Sequence, residues 1–307
     1  MQSTSCETKT ELLDTLAINN RHPRDDKIVF DEPTHKYTII NESNVRYTSV
    51  TTWLHHHFAQ FDADKVIKSM MSKPSWNASN KYWGLSAEQI KAQWNANGQK
   101  ESSAGTNMHY EIECFMNRGG KTHIQLYDEY MTHHSAEAIA EMPAEWRYFL
   151  QFVKTTPELL PYRTEWSIFD EELKLAGQID MVYFNQDDGS VSIYDWKRAK
   201  NITMDSYNKY AITESIAHIP DSNYWHYSLQ LNTYKAILER KYGLKVRDLY
   251  LVRLHPNNEY ETFEIIKCAN MAGEVAVLFE EREEYVRKHS QIVDEPAVKA
   301  VDETDTI

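Results

Sequence analysis

Cysteine is scarce and scattered. Cys6, Cys114 and Cys268 are odd in number and far apart, which excludes a zinc knuckle or a disulfide framework and leaves free thiols as the expectation. Glycine and proline, at nine each in 307 residues, are too few for a collagen-like or low-complexity chain. No apolar run approaches the roughly 20 residues of a bilayer-spanning helix. The opening MQSTSCETKTELLD also lacks a basic region followed by an apolar block. The expectation is a soluble, intracellular protein with no membrane partner. No G-x-x-x-x-G-K-S/T phosphate loop is present, so no use of ATP is expected. Basic charge is also short: 33 Lys and Arg stand against 46 Asp and Glu, a net charge of −13. Such a surface does not hold a polyanion everywhere, so any nucleic-acid contact has to be local.

With 41% hydrophobic and 26% charged residues, the composition is that of an ordinary globular protein with a real core. Four regions are expected: a weakly ordered leader at 1–25, an extension of strands and helices at 26–100 forming a groove wall, a core at 101–290, and an acidic tail at 291–307. IVFDEPTHKYTII and VRYTSVTTWL read as strands or hairpins. Asp62 to Met71 and Ser86 to Asn95 read as helices, with Ser86 an N-cap. A separate helix is expected to start near Ser102 and to end at Gly119-Gly120, since Met108, Ile112 and Phe115 recur at helical spacing. After a helix near 144–153, TEWSIFD, LAGQIDMVYF and VSIYDWKRA read as consecutive antiparallel strands. A helix at 224–241 closed by Gly243, a strand DLYLVRL and a helix at 272–288 follow. The fold class is α/β, a central mixed sheet flanked by helices.

Chemistry concentrates in GQIDMVYFNQDDGSVSIYDWKRAK. Alternate strand residues share a face, so Asp195 and Lys197 point together while Trp196 points away. A hairpin can bring Asp180 opposite Asp195, and two carboxylates at a sheet end suit magnesium or manganese. Charges set into such apolar strands need partners or a metal.

These residues resemble the PD-(D/E)xK nuclease superfamily, in particular its branch of RecB-type nuclease domains, lambda exonuclease and the mitochondrial genome-maintenance exonuclease. The resemblance rests on an ordered set over roughly residues 100–240. In chain order the set is Gly105-Thr106-Asn107-Met108-His109 with Ile112-Glu113, then Glu165, then Gly177-Gln178-Ile179-Asp180, then Asp195-Trp196-Lys197, then Gln230 with Tyr234. More loosely, the whole layout, including Ser49-Val50-Thr51 and the Lys81-Tyr82-Trp83-Gly84 loop, resembles the exonucleases of phages and large DNA viruses. By position, the resemblance implies that His109, Asp180, Asp195 and the Trp196 carbonyl bind the metal, one or two Mg2+ or Mn2+ ions. Lys197 is then the catalytic lysine, with Glu113 and Glu165 as further acidic groups. Gln230, Tyr234, Arg198, Lys200 and Lys209 would contact nucleic acid, with Tyr207, Tyr210, Tyr224, Trp225 and Tyr227 available to stack on unpaired bases. Some relatives carry a four-cysteine iron–sulfur cluster, which three scattered cysteines do not supply. The function implied is metal-dependent phosphodiester hydrolysis by a DNA exonuclease acting on ends or single strands in recombination, repair or viral genome processing, with recombination or replication proteins as further partners. The competing reading is a nucleic-acid-binding protein with an inactive site on the same fold, or an endonuclease or RNA-degrading enzyme. The oligomeric state is left open.

Overall fold

A computed structural model describes residues 15–42 and 44–289. The start of the leader and the acidic tail expected at 291–307 lie outside the described residues. The described residues open with α1 (Thr15–Asn19), then the hairpin β1 (Ile28–Asp31) and β2 (Lys36–Ile39), then β3 (Thr48–Ser49) and α2 (Val50–His55). Helices α3 (Ala63–Met71), α4 (Ala87–Met116), α5 (His123–Thr132), α6 (Ala136–Ala140) and α7 (Ala144–Thr155) follow. Then come β4 (Leu160–Asp170), β5 (Leu175–Phe184), β6 (Val191–Lys197), α8 (Asn223–Lys241), β7 (Val246–Arg253), β8 (Glu264–Lys267) and α9 (Ala272–Lys288).

The expected α/β class holds: the second sheet is six-stranded and mixed, with β3–β5 and β6–β7 parallel and the other pairs antiparallel. Alternation sorts most of its side chains. Val182, Ile193 and Leu251 meet α2, α8 and α9 on one face, while Met181, Tyr183, Trp196 and Val252 meet α4, α5 and α7 on the other. With helices on both faces, β6 is buried along its length up to Lys197, which explains its apolar SIYDW.

Several local expectations change. SVTTWL is a strand only at Thr48–Ser49. The Ser49 hydroxyl accepts from the Thr52 amide (3.1 Å), which starts α2 and buries Val50, Trp53 and Leu54 on one side. The two helices expected around 86–95 and 102–117 are one 30-residue helix, α4, started by a capping box between Ser86 and Gln89. Gly98 and Gly105 do not interrupt it. The segment 15–25, expected as weakly ordered leader, is packed. Leu16 is buried with its amide on Asn117 (3.0 Å), and Asp25 accepts from Arg163 (2.7 Å) and from the Trp166 indole (2.8 Å). Its polar composition hides these long-range partners. Helices α5 and α6 and strand β8 carry no strong periodic signal and enter only with the structure.

Candidate active site

Strand β5 builds the site by changing partners. One edge pairs with β4 throughout, while the other pairs with β3 at Leu175–Ala176 and with β6 only from Met181 onward. Gly177 to Asp180 therefore have no strand on that edge, and Asp180 and Asp195 are the next positions after the last β5–β6 pair, Met181↔Tyr194. Where the ladder stops, the Asp180 carboxylate replaces it and accepts from the Trp196 amide (2.9 Å). Ile179 and Met181, two apart, enter different cores, so alternation breaks at Asp180. Across from it on β4, Glu165 has φ 41°, a left-handed conformation within a strand that costs about 1 kcal/mol or more. Gln178 holds this kink by donating to the Glu165 carbonyl (3.1 Å).

Helix α4 delivers His109 to the same point. Its Nε2 donates to the Trp196 carbonyl (3.0 Å), while Nδ1 lies 3.5 Å from Glu165 Oε1 and 3.6 Å from Asp180 Oδ2. Burial lowers the imidazole pKa, but Asp180 and Glu165 outweigh it and raise His109 to about 10. Asp180 itself is raised, by burial first and then by Glu165 against the opposing pull of His109. Beside this group, Lys197 Nζ stands 2.7 Å from Asp195 Oδ2 and over the Tyr227 ring (4.3 Å). Burial and the neighbouring Asp180 raise Asp195 to about 6 although Lys197 pulls it down. Burial also works against the Lys197 charge, but Asp195 outweighs it and keeps the ammonium protonated well above its usual range.

One ligand atom each from His109, Glu165 and Asp180 lies within 4.8 Å of the others. This donor set, with the Trp196 carbonyl beside it, fits a divalent cation. Glu165, Asp180 and Asp195 against Lys197 leave a charge deficit of two when the imidazole is neutral, and the oxygen-rich set with one nitrogen suits manganese or magnesium. The geometry differs from the sequence expectation in emphasis. Glu165 stands with His109 and Asp180 in the three-residue group, while Asp195, expected as a ligand, is engaged by Lys197. Glu113 follows His109 one turn later, half-buried, and is outside the three-residue group.

The nucleic-acid candidates separate. Gln230 donates to Tyr234 Oη (3.1 Å) and to Thr51 Oγ1 (3.4 Å), and the Tyr234 ring lies on Gly177, where a Cβ would come 2.5 Å from it. Burial, with Asp195 and Asp180 nearby, pushes the Tyr234 phenol up to about 12, so it stays neutral. Lys200 and Lys209 are exposed. Arg198 is not available as expected: its side chain, 13% exposed, pairs with Glu145 (2.6 Å) and with Glu101, tying β6 to α7 and α4. Tyr224 is buried with its hydroxyl on the Lys267 carbonyl, and Tyr227 lies under Lys197, whereas Tyr207 and Tyr210 are exposed. Thr51 and Tyr37 were not singled out as site residues. Tyr37 lies near enough to Tyr234 and Glu165 for both, after burial, to raise its phenol pKa. Thr51 is marked only by the looser Ser49-Val50-Thr51 resemblance and Tyr37 by no local signal, because both reach the site from the N-terminal segment through tertiary contact.

The family model described as PD-(D/E)XK nuclease superfamily matches residues 82–304, a span that contains every residue of this constellation except Thr51 and Tyr37. A search of curated proteins found no match. No helix among the described residues is long and apolar enough to cross a membrane.

Proposed function

The chain belongs to the PD-(D/E)XK nuclease superfamily, and from that premise we propose that it is a divalent-metal-dependent DNA exonuclease acting on ends or single strands. The ordered placement of His109, Glu165, Asp180, Asp195-Lys197 and Gln230-Tyr234 supports its RecB-type, lambda-exonuclease-like branch and a role in recombination, repair or viral genome processing. One observation carries the reading. His109, Glu165 and Asp180 converge within 4.8 Å at the point where β5 and β6 part, beside a lysine held on a carboxylate.

His109, Glu165, Asp180 and the Trp196 carbonyl would hold the cation, with Asp195 bordering it. A bound divalent ion supplies neutralisation of phosphate charge and acidification of water. Lys197, fixed between Asp195 and the Tyr227 ring, presents its ammonium as a donor to a phosphoryl oxygen as negative charge grows there. His109 holds the Trp196 carbonyl in place, and Asp180, by accepting the Trp196 amide, sets the strand that carries Lys197. Gln230 and Tyr234 line the adjoining wall, and exposed Lys200 and Lys209 attract the phosphodiester backbone.

The test is cleavage of end-labelled linear and covalently closed circular DNA, single- and double-stranded, with Mg2+, Mn2+ or chelator. Wild type is compared with Asp180→Asn and Lys197→Ala. Metal-dependent loss of linear but not circular DNA, abolished by both substitutions, is the expected result. Cutting of circles makes it an endonuclease, digestion of RNA alone moves the substrate, and tight binding without cleavage establishes an inactive site.

A further inference from the structure

The region between residues 60 and 100 is unlike the rest of the chain. It carries six lysines against three carboxylates in a protein of net charge −13. It holds α3, a loop and the first half of α4, and from residue 91 to 107 no side chain of α4 is buried. The hairpin of helices closes only on Ile67 and Ile90. Large aromatic rings nevertheless stand in the open: Phe61 is 64% and Trp83 50% exposed. They are grouped rather than scattered. Trp76 and Trp83 have ring centroids 5.7 Å apart, Phe61 and Trp94 6.1 Å, and the Lys81 ammonium sits 4.7 Å over Tyr82. Trp76 and α3 precede the family-matched span, whereas Trp83 and α4 lie within it.

Exposed rings interleaved with lysines on an otherwise acidic protein fit a polyanion that offers unpaired bases. We propose that this arm is a second contact for single-stranded nucleic acid, with Trp83 and Trp76 stacking on bases and Lys73 and Lys81 on the backbone. The proposal rests on the nuclease reading, because α4 joins arm and site in one rigid element. The fifteen residues from Trp94 to His109 span about 22 Å at the helical rise. At a 3.4 Å rise per nucleotide, that is about six nucleotides. A base-stacked strand seated at the site therefore reaches the arm only when it is longer than this.

The probes are oligothymidylates of 4 and 16 nucleotides and a 16-base-pair blunt duplex, with Trp83→Ala and the double variant Trp76→Ala/Trp83→Ala. Binding is read by fluorescence polarisation in chelator, and cleavage as kcat/KM with Mn2+. For the 16-mer single strand, affinity is expected to fall about tenfold, with kcat/KM on the 4-mer unchanged and duplex affinity changed less than twofold. Lys73→Gln/Lys81→Gln is expected to reduce the salt dependence of 16-mer binding. Single-strand affinity within twofold of wild type overturns the proposal and leaves the patch to a protein partner. Equal loss on duplex or on the 4-mer overturns it as well. Wild type that binds through the arm but cuts nothing sinks the nuclease reading and leaves the arm standing.

Discussion

Gly177→Ala should damage both stability and cleavage, although the residue has no side chain. Gly177 sits in the β4–β5 ladder opposite Ile168, and an added Cβ would lie 2.5 Å from Tyr234 Cε1 and 3.1 Å from its hydroxyl. Carbon atoms pack best about 3.5–4.0 Å apart, so the shortfall is about 1 Å. The ring has nowhere to retreat: Tyr234 is 2% exposed, and its hydroxyl accepts from Gln230 at 3.1 Å. Overpacking of this kind costs about 1–3 kcal/mol. Because Tyr234 lies beside Asp180 and Asp195, a displacement of about 1 Å reaches the site and is expected to slow cleavage by up to about 100-fold. The assay is a double-mutant cycle with Tyr234→Ala, read by urea unfolding and by cleavage of linear DNA. Tyr234→Ala alone costs about 3–5 kcal/mol through the cavity it leaves. That cavity admits the methyl group added at position 177, so the double variant should be no less stable than Tyr234→Ala, a coupling of about −1 to −3 kcal/mol. A Gly177→Ala protein within about 0.5 kcal/mol of wild type, or additive losses in the cycle, would refute the packing argument.

Three further outcomes are expected. His123 is buried between Thr156 and Tyr183, and burial lowers it to about 3 from 6.5. The unfolded chain takes up this proton below about pH 6.5 and the folded one only near 3, so this contribution is complete above 6.5 and lost as pH falls. It amounts to about 2 kcal/mol between pH 7 and pH 5, and urea unfolding of His123→Asn should show a correspondingly flatter pH dependence. Mn2+ at about 100 times its Kd should stabilise wild type by about 2.7 kcal/mol in thermal unfolding and do so at lower concentration than Mg2+, given the His109 nitrogen. Asp180→Asn should lose that gain, and an equal shift in the variant places the ion elsewhere. Arg198→Ala should cost about 3 kcal/mol by stranding Glu145 and Glu101, yet leave the salt dependence of single-strand binding unchanged, while Lys200→Ala lowers that slope by about 0.7. A lower slope for Arg198→Ala returns that residue to the phosphate-contacting set.

Within the segment 177–197, periodicity is enough. The alternation in VSIYDWK sends Asp195 and Lys197 to one face, and the short turn after Phe184 brings Asp180 to the same end of the sheet; strand geometry alone makes both statements. The helix carrying His109 was equally legible, because Met108, Ile112 and Phe115 mark its buried side. The length of that helix was not legible, since its first half buries almost nothing and carries two glycines.

What the sequence determined by itself is therefore which groups could take part: the order His109, Glu165, Asp180, Asp195, Lys197, Gln230 and Tyr234, on a helix, three strands and a helix of an α/β fold. The tertiary structure decided how they are used. It kinked β4 at Glu165 to set that carboxylate beside His109 and Asp180, spent Arg198 on Glu101 and Glu145, and brought Thr51 against Gln230. The physical reason is range. A strand or helix period is written in neighbouring residues, whereas a kink, an ion pair or a packed ring depends on partners tens to hundreds of positions away.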